Sequence, residues 1–338
     1  MTADTLAPES IALSPAQASE ALRRYYGLEA VSLTLMDSEL SSVYRAELSD
    51  GRRCAFKATR FTPEAHAAAQ WRTAAMDHLQ SLGIPAGETF LSLQGQPVTV
   101  AETEVGDAVV HVGEWLTGIP LEAVTPNTSI MREVGRTTSR VVAALDGWPQ
   151  PPVAIEHPWE LTRTLETLEA TINSATGEER EMLAQATERF RTQVQDQLGA
   201  LPHTVVHHDL HDSNLLVDGE RVSGVLDFGD MVWGPRIAEL AVAAGYGCRT
   251  SADPAAAYLD ILDGWDHAVA LTSAEVAVLF PASLGRLAVN LGVWTARSGS
   301  DRGDYARARS ASTARALREL LAVDPAQMAD RISERLLG

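Results

Sequence analysis

The sequence predicts an α+β protein of two lobes, with a β-rich N-terminal lobe over residues 1–115 and a mainly helical C-terminal lobe over residues 116–338. Short strand-like runs joined by a tight turn fill residues 31–60, whereas apolar residues recur with a helical period from about residue 127. The length of 338 residues suits two units of domain size. An apolar fraction of 45% and a charged fraction of 21% are ordinary for a folded protein and argue against disorder.

The N-terminal lobe begins with a helix and continues as strands. Ser14, followed by Pro15 and by Gln17 three positions after the cap, predicts a helix over residues 15–26. Thr62-Pro63 begins a second helix that runs to about residue 82. The strand-like runs cover residues 31–36, 42–49, 52–60, 89–93, 97–103 and 109–115, with a tight turn at residues 49–51.

The C-terminal lobe has one predicted hairpin among helices. Ile130, Val134, Val141 and Leu145 share one face of a helix. Two capping boxes, at residues 176–179 and 272–275, begin further helices. Short strands are predicted over residues 204–206, 215–217 and 221–226, with a hairpin turn at residues 218–219.

The chain is strongly acidic. Asp and Glu number 45 against 27 Lys and Arg, which gives a formal net charge of −18. Such a charge repels phosphate backbones and anionic lipid surfaces, so no nucleic acid and no membrane is expected as a partner. The apolar stretch at residues 276–296 contains Pro281, Arg286 and Asn290, which predicts a buried core helix rather than a membrane span. A monomer or a homodimer is expected.

Two features favour a cytoplasmic location. The first residues, MTADTLAPESIAL, lack the basic segment followed by an apolar one that a secretory signal has. Cys54 and Cys248 are the only cysteines, and they form neither a disulfide framework nor a CxxC pair, which favours a reducing compartment.

The most informative stretch is VVHHDLHDSNLLVDGERVSGVLDFGD at residues 205–230. Asp209 and Asn214 lie five positions apart in a loop, and Asp227 follows at the end of the predicted hairpin. A carboxylate such as Asp209 can orient a hydroxyl nucleophile and accept its proton. The oxygens of Asn214 and Asp227 are the hard ligands that Mg²⁺ prefers. The spacing matches the protein-kinase pattern H-R-D-x-x-x-x-N followed by D-F-G.

The N-terminal lobe adds a cation. Lys57, which ends the apolar run Cys54-Ala55-Phe56, is the only lysine of the chain. The lysine of the kinase V-A-I-K strand occupies such a position and pairs with α- and β-phosphate oxygens. An exposed strand lysine is the alternative explanation for Lys57, and loop capping by Asx residues is the alternative for the aspartates and asparagine.

Together these residues resemble the aminoglycoside phosphotransferase-like superfamily of small-molecule kinases, which includes choline-kinase-type enzymes, and most closely its hydroxylysine kinase-like branch. Residues 222–235, VSGVLDFGDMVWGP, and the Glu239-Leu240-Ala241 that follows are similar to that branch. So are His157-Pro158-Trp159 and the segment from Arg286 to Tyr305. The resemblance implies a bilobal protein-kinase-like fold.

The resemblance also implies roles for further residues. His207 would brace the catalytic loop, and Glu114 and Leu116 would belong to a connector whose backbone binds the purine. Asp230 would lie near the site. The substrate pocket would lie near Asp230, Trp233 and the helix at residues 286–297, although packing is the favoured role of Trp233 over a cation–π contact with an amine.

Two positions depart from the family pattern. The phosphate loop expected near residues 37–42 contains no glycine, so Ser41 and Ser42 are the candidate phosphate ligands or ordinary turn residues. The helix glutamate that normally pairs with the strand lysine is replaced by Gln70 in our alignment, and Glu64 is the acidic alternative.

The predicted function is a Mg²⁺-dependent transfer of the γ-phosphate of ATP or GTP to a hydroxyl of a small, amine-bearing metabolite such as hydroxylysine, ethanolamine or an aminoglycoside. Two alternatives stay open. A pseudokinase would bind nucleotide without transfer, in keeping with the glycine-free loop and Gln70. A metallohydrolase could use a cluster of four histidines, although no HExxH is present; these are His203, His207, His208 and His211.

Overall fold

The computed structural model describes residues 11–38, 41–266, 269–297 and 303–338. The contacts divide the chain into two compact units. The first unit comprises Met1–Thr117 and Pro151–Ile155, and the second comprises Gly118–Gln150 and Glu156–Gly338. The sequence-based boundary, between residues 115 and 116, lies two positions before the division at Thr117.

The first unit is built on a five-stranded antiparallel sheet with the strand order β1-β2-β3-β5-β4. Its strands are β1 (Ala30–Met36), β2 (Ser42–Leu48), β3 (Arg53–Arg60), β4 (Val98–Ala101) and β5 (Ala108–Glu114). Inward side chains such as Tyr44, Phe56 and Val112 form its core, since each is at most 1% exposed. The core fixes the register of β3, in which Lys57 pairs with Val43 on one side and His111 on the other.

Two helices flank this sheet in the sequence, α1 (Pro15–Ala21) and α2 (Pro63–Ser81). The predicted capping box of α1 is confirmed, because Ser14 and Gln17 exchange hydrogen bonds with each other's backbone N–H. The predicted helix over 15–26 continues past α1 as a π-helical turn, Leu22–Tyr26, and ends at Gly27 with a positive φ of 66°. The strand predicted over 89–93 is wrong, since the structure forms only an isolated bridge between Thr89 and Gly113.

The second unit is mainly helical. Its helices are α3 (Thr128–Leu145), α4 (Thr164–Thr171), α5 (Gly177–Gln193), α6 (Ile237–Gly247), α7 (Pro254–Asp263), α8 (Ser273–Arg297), α9 (Gly303–Leu321) and α10 (Pro325–Leu336). Helix α8 is long and apolar enough to cross a membrane, but 94% of its apolar window is buried inside the protein. The prediction that this stretch is a core helix is therefore confirmed.

Two small sheets of the second unit hold the motif residues. In one, β6 (Ile119–Pro120), β8 (Leu215–Asp218) and β9 (Arg221–Val225) pair in that order, which confirms the hairpin. In the other, β7 (His203–Val206) pairs antiparallel with β10 (Val232–Pro235), a strand that the sequence did not predict. The loop from β7 to β8 and the turn from β9 to β10 therefore begin and end on anchored strands.

The two capping boxes predicted in this unit differ in outcome. Thr272 and Glu275 exchange the expected hydrogen bonds before α8. The box at residues 176–179 is wrong, because Thr176 makes no side-chain cap at the start of α5. The carboxylates of that turn bind elsewhere, Glu178 to Arg318 and Glu179 to Thr295.

Candidate active site

The loop that follows β7 is held by a buried carboxyl group. The side chain of Glu239 in α6 accepts the backbone N–H groups of His207 at 2.5 Å and His208 at 3.1 Å. His208 has a positive φ of 68°, a conformation that a residue with a side chain rarely adopts. Burial raises the pKa of Glu239 to about 8, against the opposing effect of its two backbone hydrogen bonds. The two hydrogen bonds to Glu239 stabilise the backbone bend that follows β7.

Asp209 lies at the centre of this loop, and its side chain is 16% exposed. Asn214 donates its Nδ2 to Oδ2 of Asp209 at 2.7 Å and to the backbone carbonyl of Asp209 at 3.1 Å. His211 places its Nε2 3.4 Å from the same Oδ2, and Arg286 places its Nη2 3.7 Å from Oδ1. The structure thus brings Asp209 and Asn214 into direct contact, as their spacing predicts.

These neighbours keep Asp209 ionised. Burial by itself would raise its pKa, as would the Asp227 charge, but His211 and Arg286 outweigh them and hold the pKa below its ordinary value. Burial also acts against the charged form of His211, yet Asp209 and Asp212 raise the pKa of this imidazole to about 9. At neutral pH Asp209 is therefore a carboxylate, and it lies beside the ring of His211, whose Nδ1 accepts the backbone N–H of Ser213 at 3.0 Å.

A buried ion pair, which the sequence analysis missed, supports His211 from the other side. Asp212 and Arg249, 2% and 3% exposed, form a bidentate pair through Nε and Nη2 of the arginine. Arg249 also donates to Thr313, and Oδ1 of Asp212 lies 3.7 Å from Nδ1 of His211. Arg249 lies two residues after the end of α6, and no local sequence pattern indicates a contact between it and Asp212.

His207 braces the loop as a neutral ring. Its Nδ1 accepts the backbone N–H of Asp209 at 3.3 Å, and its ring packs edge-on against Phe228 with centroids 4.6 Å apart. Burial lowers the pKa of His207 to about 4, although the nearby charges of Asp209 and Asp227 oppose this shift. The contact agrees with the bracing role that the resemblance implies.

Asp227 lies after β9 on a strained turn. Its φ is 54°, its Oδ1 accepts the N–H of Gly229, and its side chain is exposed. Asn214 uses its Nδ2 for Asp209, which leaves its Oδ1 as an acceptor. An exposed carboxylate and an amide oxygen suit Mg²⁺, which takes one or two protein carboxylates together with substrate phosphates. The residues present therefore fit the metal that the resemblance implies.

Asp230 and Trp233 follow on the same turn and strand. Burial raises the pKa of Asp230, and the charge of Asp209 adds to the effect. The backbone carbonyl of Asp230 contacts Nε2 of His157 at 3.2 Å. The electrostatic interaction between Asp230 and Asp209 places Asp230 in the surroundings of Asp209. Trp233 lies in β10 and is 38% exposed.

The predicted nucleotide ligands Lys57 and Gln70 belong to the first unit. Lys57 is half-buried in β3, and its charge adds to burial in lowering the pKa of His111 to about 4. Gln70 and the alternative Glu64 are both exposed on α2, and among the described residues the side chain of Gln70 makes no hydrogen bond. Neither is identified as the partner of Lys57.

The other first-unit candidates are two serines and the connector. Ser42 is 4% exposed and uses its hydroxyl inside the core, accepting from Leu13 N–H and donating to the Ile11 carbonyl. Because the hydroxyl of Ser42 already has both partners, Ser41 is the better candidate, and within the described ranges its hydroxyl contacts that of Ser38 at 2.7 Å. Residues 39 and 40 of the predicted phosphate loop lie outside the described residues.

Glu114 ends β5 and Leu116 is half-buried, just before the chain enters the second unit. The backbone N–H of Glu114 is already used by the Glu88 carbonyl at 2.8 Å. This leaves the carbonyl of Glu114 and the backbone of Leu116 as the groups that the connector can offer a purine.

The four histidines do not form a common metal centre within the described part of the chain. His203 contacts the Leu201 carbonyl, His208 accepts the Leu161 N–H, and His207 and His211 both serve Asp209. No group of three or more His, Cys, Asp and Glu side chains that could hold a metal occurs among the described residues. The geometry thus gives the metallohydrolase hypothesis no support.

Comparisons with known proteins agree with the kinase geometry. The profile of a family described as the phosphotransferase enzyme family matches residues 32–271. Hydroxylysine kinase of Danio rerio is 26% identical over 285 residues, which cover 78% of this chain and 78% of that protein. Hydroxylysine kinase of Mus musculus is 27% identical over 231 residues, which cover 63% of this chain and 61% of that protein.

Solved structures show the same fold. An amicoumacin kinase in complex with AMP-PNP and Ca²⁺ matches with a TM-score of 0.67 and 18% identity, covering 93% of this chain and 97% of that one. A microcompartment-associated aminopropanol kinase matches with a TM-score of 0.70 and 16% identity, covering 91% and 98%. The predicted α+β kinase-like fold is therefore confirmed.

Proposed function

This chain belongs to the phosphotransferase enzyme family and is a small-molecule kinase, and we propose that it transfers the γ-phosphate of ATP or GTP to a hydroxyl of a small amine-bearing alcohol. The observation that carries the proposal is the ionised Asp209, held at 2.7 Å by Asn214 and flanked by His211. A hydroxylysine-like amino alcohol is the first acceptor to test, since curated relatives are hydroxylysine kinases.

Asp209 orients the acceptor. Its Oδ2 is committed to Asn214 and His211, so Oδ1 is the oxygen that can accept a hydrogen bond from the alcohol. The lowered pKa of Asp209 makes it a weak base, which suits a loose transition state in which the alcohol keeps its proton until late. Orientation of the attacking oxygen is then the larger part of its contribution.

Asn214 and Asp227 are the residues that would hold Mg²⁺. The ion, when bound, neutralises charge that develops on the phosphate oxygens. Asn214 would connect the Mg²⁺ site with Asp209. Its side-chain amide donates to Asp209 through Nδ2 and can bind the metal ion through Oδ1. Asp230, a half-buried carboxylate with a raised pKa, is the candidate partner of the acceptor's amine.

Lys57 is proposed as the cation for the α- and β-phosphates. The proposal rests on its place in β3, on its being the only lysine of the chain, and on the family pattern. Ser41 is the favoured serine for the phosphate loop, and the connector at Glu114 and Leu116 would contact the purine.

Coupled release of ADP or GDP tests the proposal with hydroxylysine, ethanolamine and aminoglycosides as acceptors. Asp209→Asn should lower kcat by about 10²–10⁴-fold while the affinity for nucleotide persists. Asp218→Asn, which changes an exposed aspartate at the end of β8, is the matched control and should leave kcat unchanged. Near-normal turnover by Asp209→Asn would remove Asp209 from its role, and nucleotide binding without transfer to any alcohol would favour the pseudokinase.

Lys57→Ala tests the nucleotide side. It should raise the KM for nucleotide about 10-fold or more, because a charge-assisted contact to phosphate is lost. The control is Arg53→Ala, which removes an exposed cation from the same strand. An unchanged nucleotide KM in Lys57→Ala would contradict the assignment.

A further inference from the structure

A buried guanidinium beside Asp209 has two nitrogens without hydrogen-bond acceptors in the described part of the chain. Arg286 in α8 is 2% exposed, and no atom of the described residues accepts a hydrogen bond from its Nε or Nη1. Its Nη2 lies 3.7 Å from Oδ1 of Asp209, which is longer than a hydrogen bond. The guanidinium carbon lies 5.1 Å from the ring centroid of Trp159 and 5.4 Å from that of Tyr246. These rings stabilise the charge but leave the N–H groups of Nε and Nη1 unsatisfied.

Two carboxylates interact with Arg286 through charge, and neither accepts a hydrogen bond from it among the described residues. Asp209 accepts from Asn214 and has its Oδ1 3.7 Å from Nη2 of Arg286, and Asp230 also interacts with the arginine electrostatically. Arg286 is thus paired by charge alone, and its Nε and Nη1 have no acceptor in this part of the chain. A buried charge without a hydrogen-bonded partner is costly, so its presence points to a partner from outside the chain.

His208 adds a second unsatisfied donor. Its Nε2 accepts the backbone N–H of Leu161 at 3.2 Å, so the hydrogen of the neutral ring lies on Nδ1. Burial, followed by the Arg286 charge, holds the pKa of His208 well below its ordinary value, which keeps the ring neutral. The Nδ1 atom is buried and finds no acceptor among the described residues.

We propose that Arg286, assisted by His208, binds the carboxylate of the acceptor, so that the acceptor is a hydroxylated amino acid rather than a simple amino alcohol. Unsatisfied donors of one guanidinium and one imidazole call for an anion, and a carboxylate matches the guanidinium geometry. This inference rests on the proposed function, because it assigns the substrate class of the same site.

The geometry limits the size of the acceptor. Because Nη2 of Arg286 is 3.7 Å from Asp209, a carboxylate bonded to this guanidinium lies within about 10 Å of an alcohol bonded to Asp209. That span suits a free amino acid. Nε and Nη1 of Arg286 are shielded from solvent, so a side chain that covers them must move when the acceptor binds. Of the two rings against the guanidinium, that of Trp159 is half-buried and that of Tyr246 is buried, so Trp159 is the one expected to move.

The test uses pairs of acceptors that differ only in the carboxylate. The pairs are serine and ethanolamine, homoserine and 3-aminopropanol, and 5-hydroxylysine and 1,5-diaminopentan-2-ol. For the best pair, the wild type should favour the amino acid by about 10²-fold in kcat/KM, since hydrogen bonds to a charged group are lost in the amine. A wild type that uses both members of every pair equally well overturns the proposal.

Variants separate carboxylate binding from positioning of Asp209. Arg286→Met should abolish the preference, chiefly by raising the KM of the amino acid, and Arg286→Lys should retain part of it because the charge remains. Arg297→Met, at the other end of α8, is the matched control and should keep the preference. An Arg286→Met protein that lowers kcat equally for both members would make Arg286 a positioning residue and overturn the proposal.

Failure of the proposed function gives a different result. If no acceptor of any pair increases nucleotide turnover, the kinase assignment of these acceptors fails, and calorimetric binding of the same pairs in the presence of AMP-PNP then tests the carboxylate site directly. Tighter binding of the amino-acid members that Arg286→Met removes supports the site. Binding that is absent, or equal within every pair, contradicts it. Thermal unfolding of each variant identifies any variant that does not fold. The comparison of paired acceptors on the wild-type protein does not depend on the variants.

Discussion

Replacement of Glu239 by glutamine should change how the stability of the protein depends on pH. Glu239 is fully buried and accepts the backbone N–H groups of His207 and His208, where the chain turns into the candidate catalytic loop. Burial raises the pKa of its carboxyl to about 8 from an ordinary value of 4.5. Between these values the folded protein binds one more proton at this residue than the unfolded chain, so rising pH lowers the free energy of unfolding.

The size of the effect follows from that interval. Each pKa unit corresponds to 1.36 kcal/mol, so ionisation of Glu239 removes about 5 kcal/mol of stability once the pH exceeds about 8. The contribution is fully present below pH 4.5 and is lost as the pH rises through 8. Glutamine cannot ionise, and its amide oxygen can still accept the N–H groups of the loop. The difference in unfolding free energy between wild type and Glu239→Gln should therefore shift by about 5 kcal/mol between pH 4.5 and pH 9, in favour of the variant.

Urea unfolding at a series of pH values measures this difference. Other titrating groups near the loop, such as His207 and His211, occur in both proteins and cancel in the comparison. Glu181→Gln, which changes an exposed glutamate of α5, is the control and should shift stability by less than about 0.5 kcal/mol. If the wild-type and Glu239→Gln curves stay parallel from pH 4.5 to 9, the buried carboxyl does not titrate as argued and the reasoning fails.

Two further predictions concern buried groups of the described structure. Asp212→Asn should lower the free energy of unfolding by about 3–5 kcal/mol, because it leaves Arg249 charged and buried, and adding Arg249→Met should restore part of the loss. Urea titration measures both variants, and a double variant less stable than Asp212→Asn would contradict the pairing. Burial raises the pKa of Cys54 to about 11 and that of Cys248 to about 12, so neither thiol of the folded protein should react with a disulfide reagent at pH 8. Both should react in guanidinium, and rapid labelling of the native protein would contradict the burial.

Local sequence determined the elements whose signals lie within a few residues. The cap at Ser14, the hairpin of β8 and β9 and the buried course of α8 follow from neighbouring residue types, and each is confirmed. Predictions failed where a local pattern met competing contacts. The carboxylates near Thr176 bind Arg318 and Thr295 instead of completing the capping box, and residues 89–93 form one bridge instead of a strand.

For the candidate site, the sequence by itself was enough to predict which groups carry the chemistry. The spacing of Asp209, Asn214 and Asp227 predicts a base and two oxygen ligands, because a loop and a hairpin hold residues at such separations in fixed positions. Only the tertiary structure decided how these groups are charged. Arg249 lies 37 residues from Asp212 in the chain and Glu239 lies 32 from His207, so no periodicity or short motif relates them. Burial and the charges that packing brings near a group set its pKa, and both are properties of the folded chain.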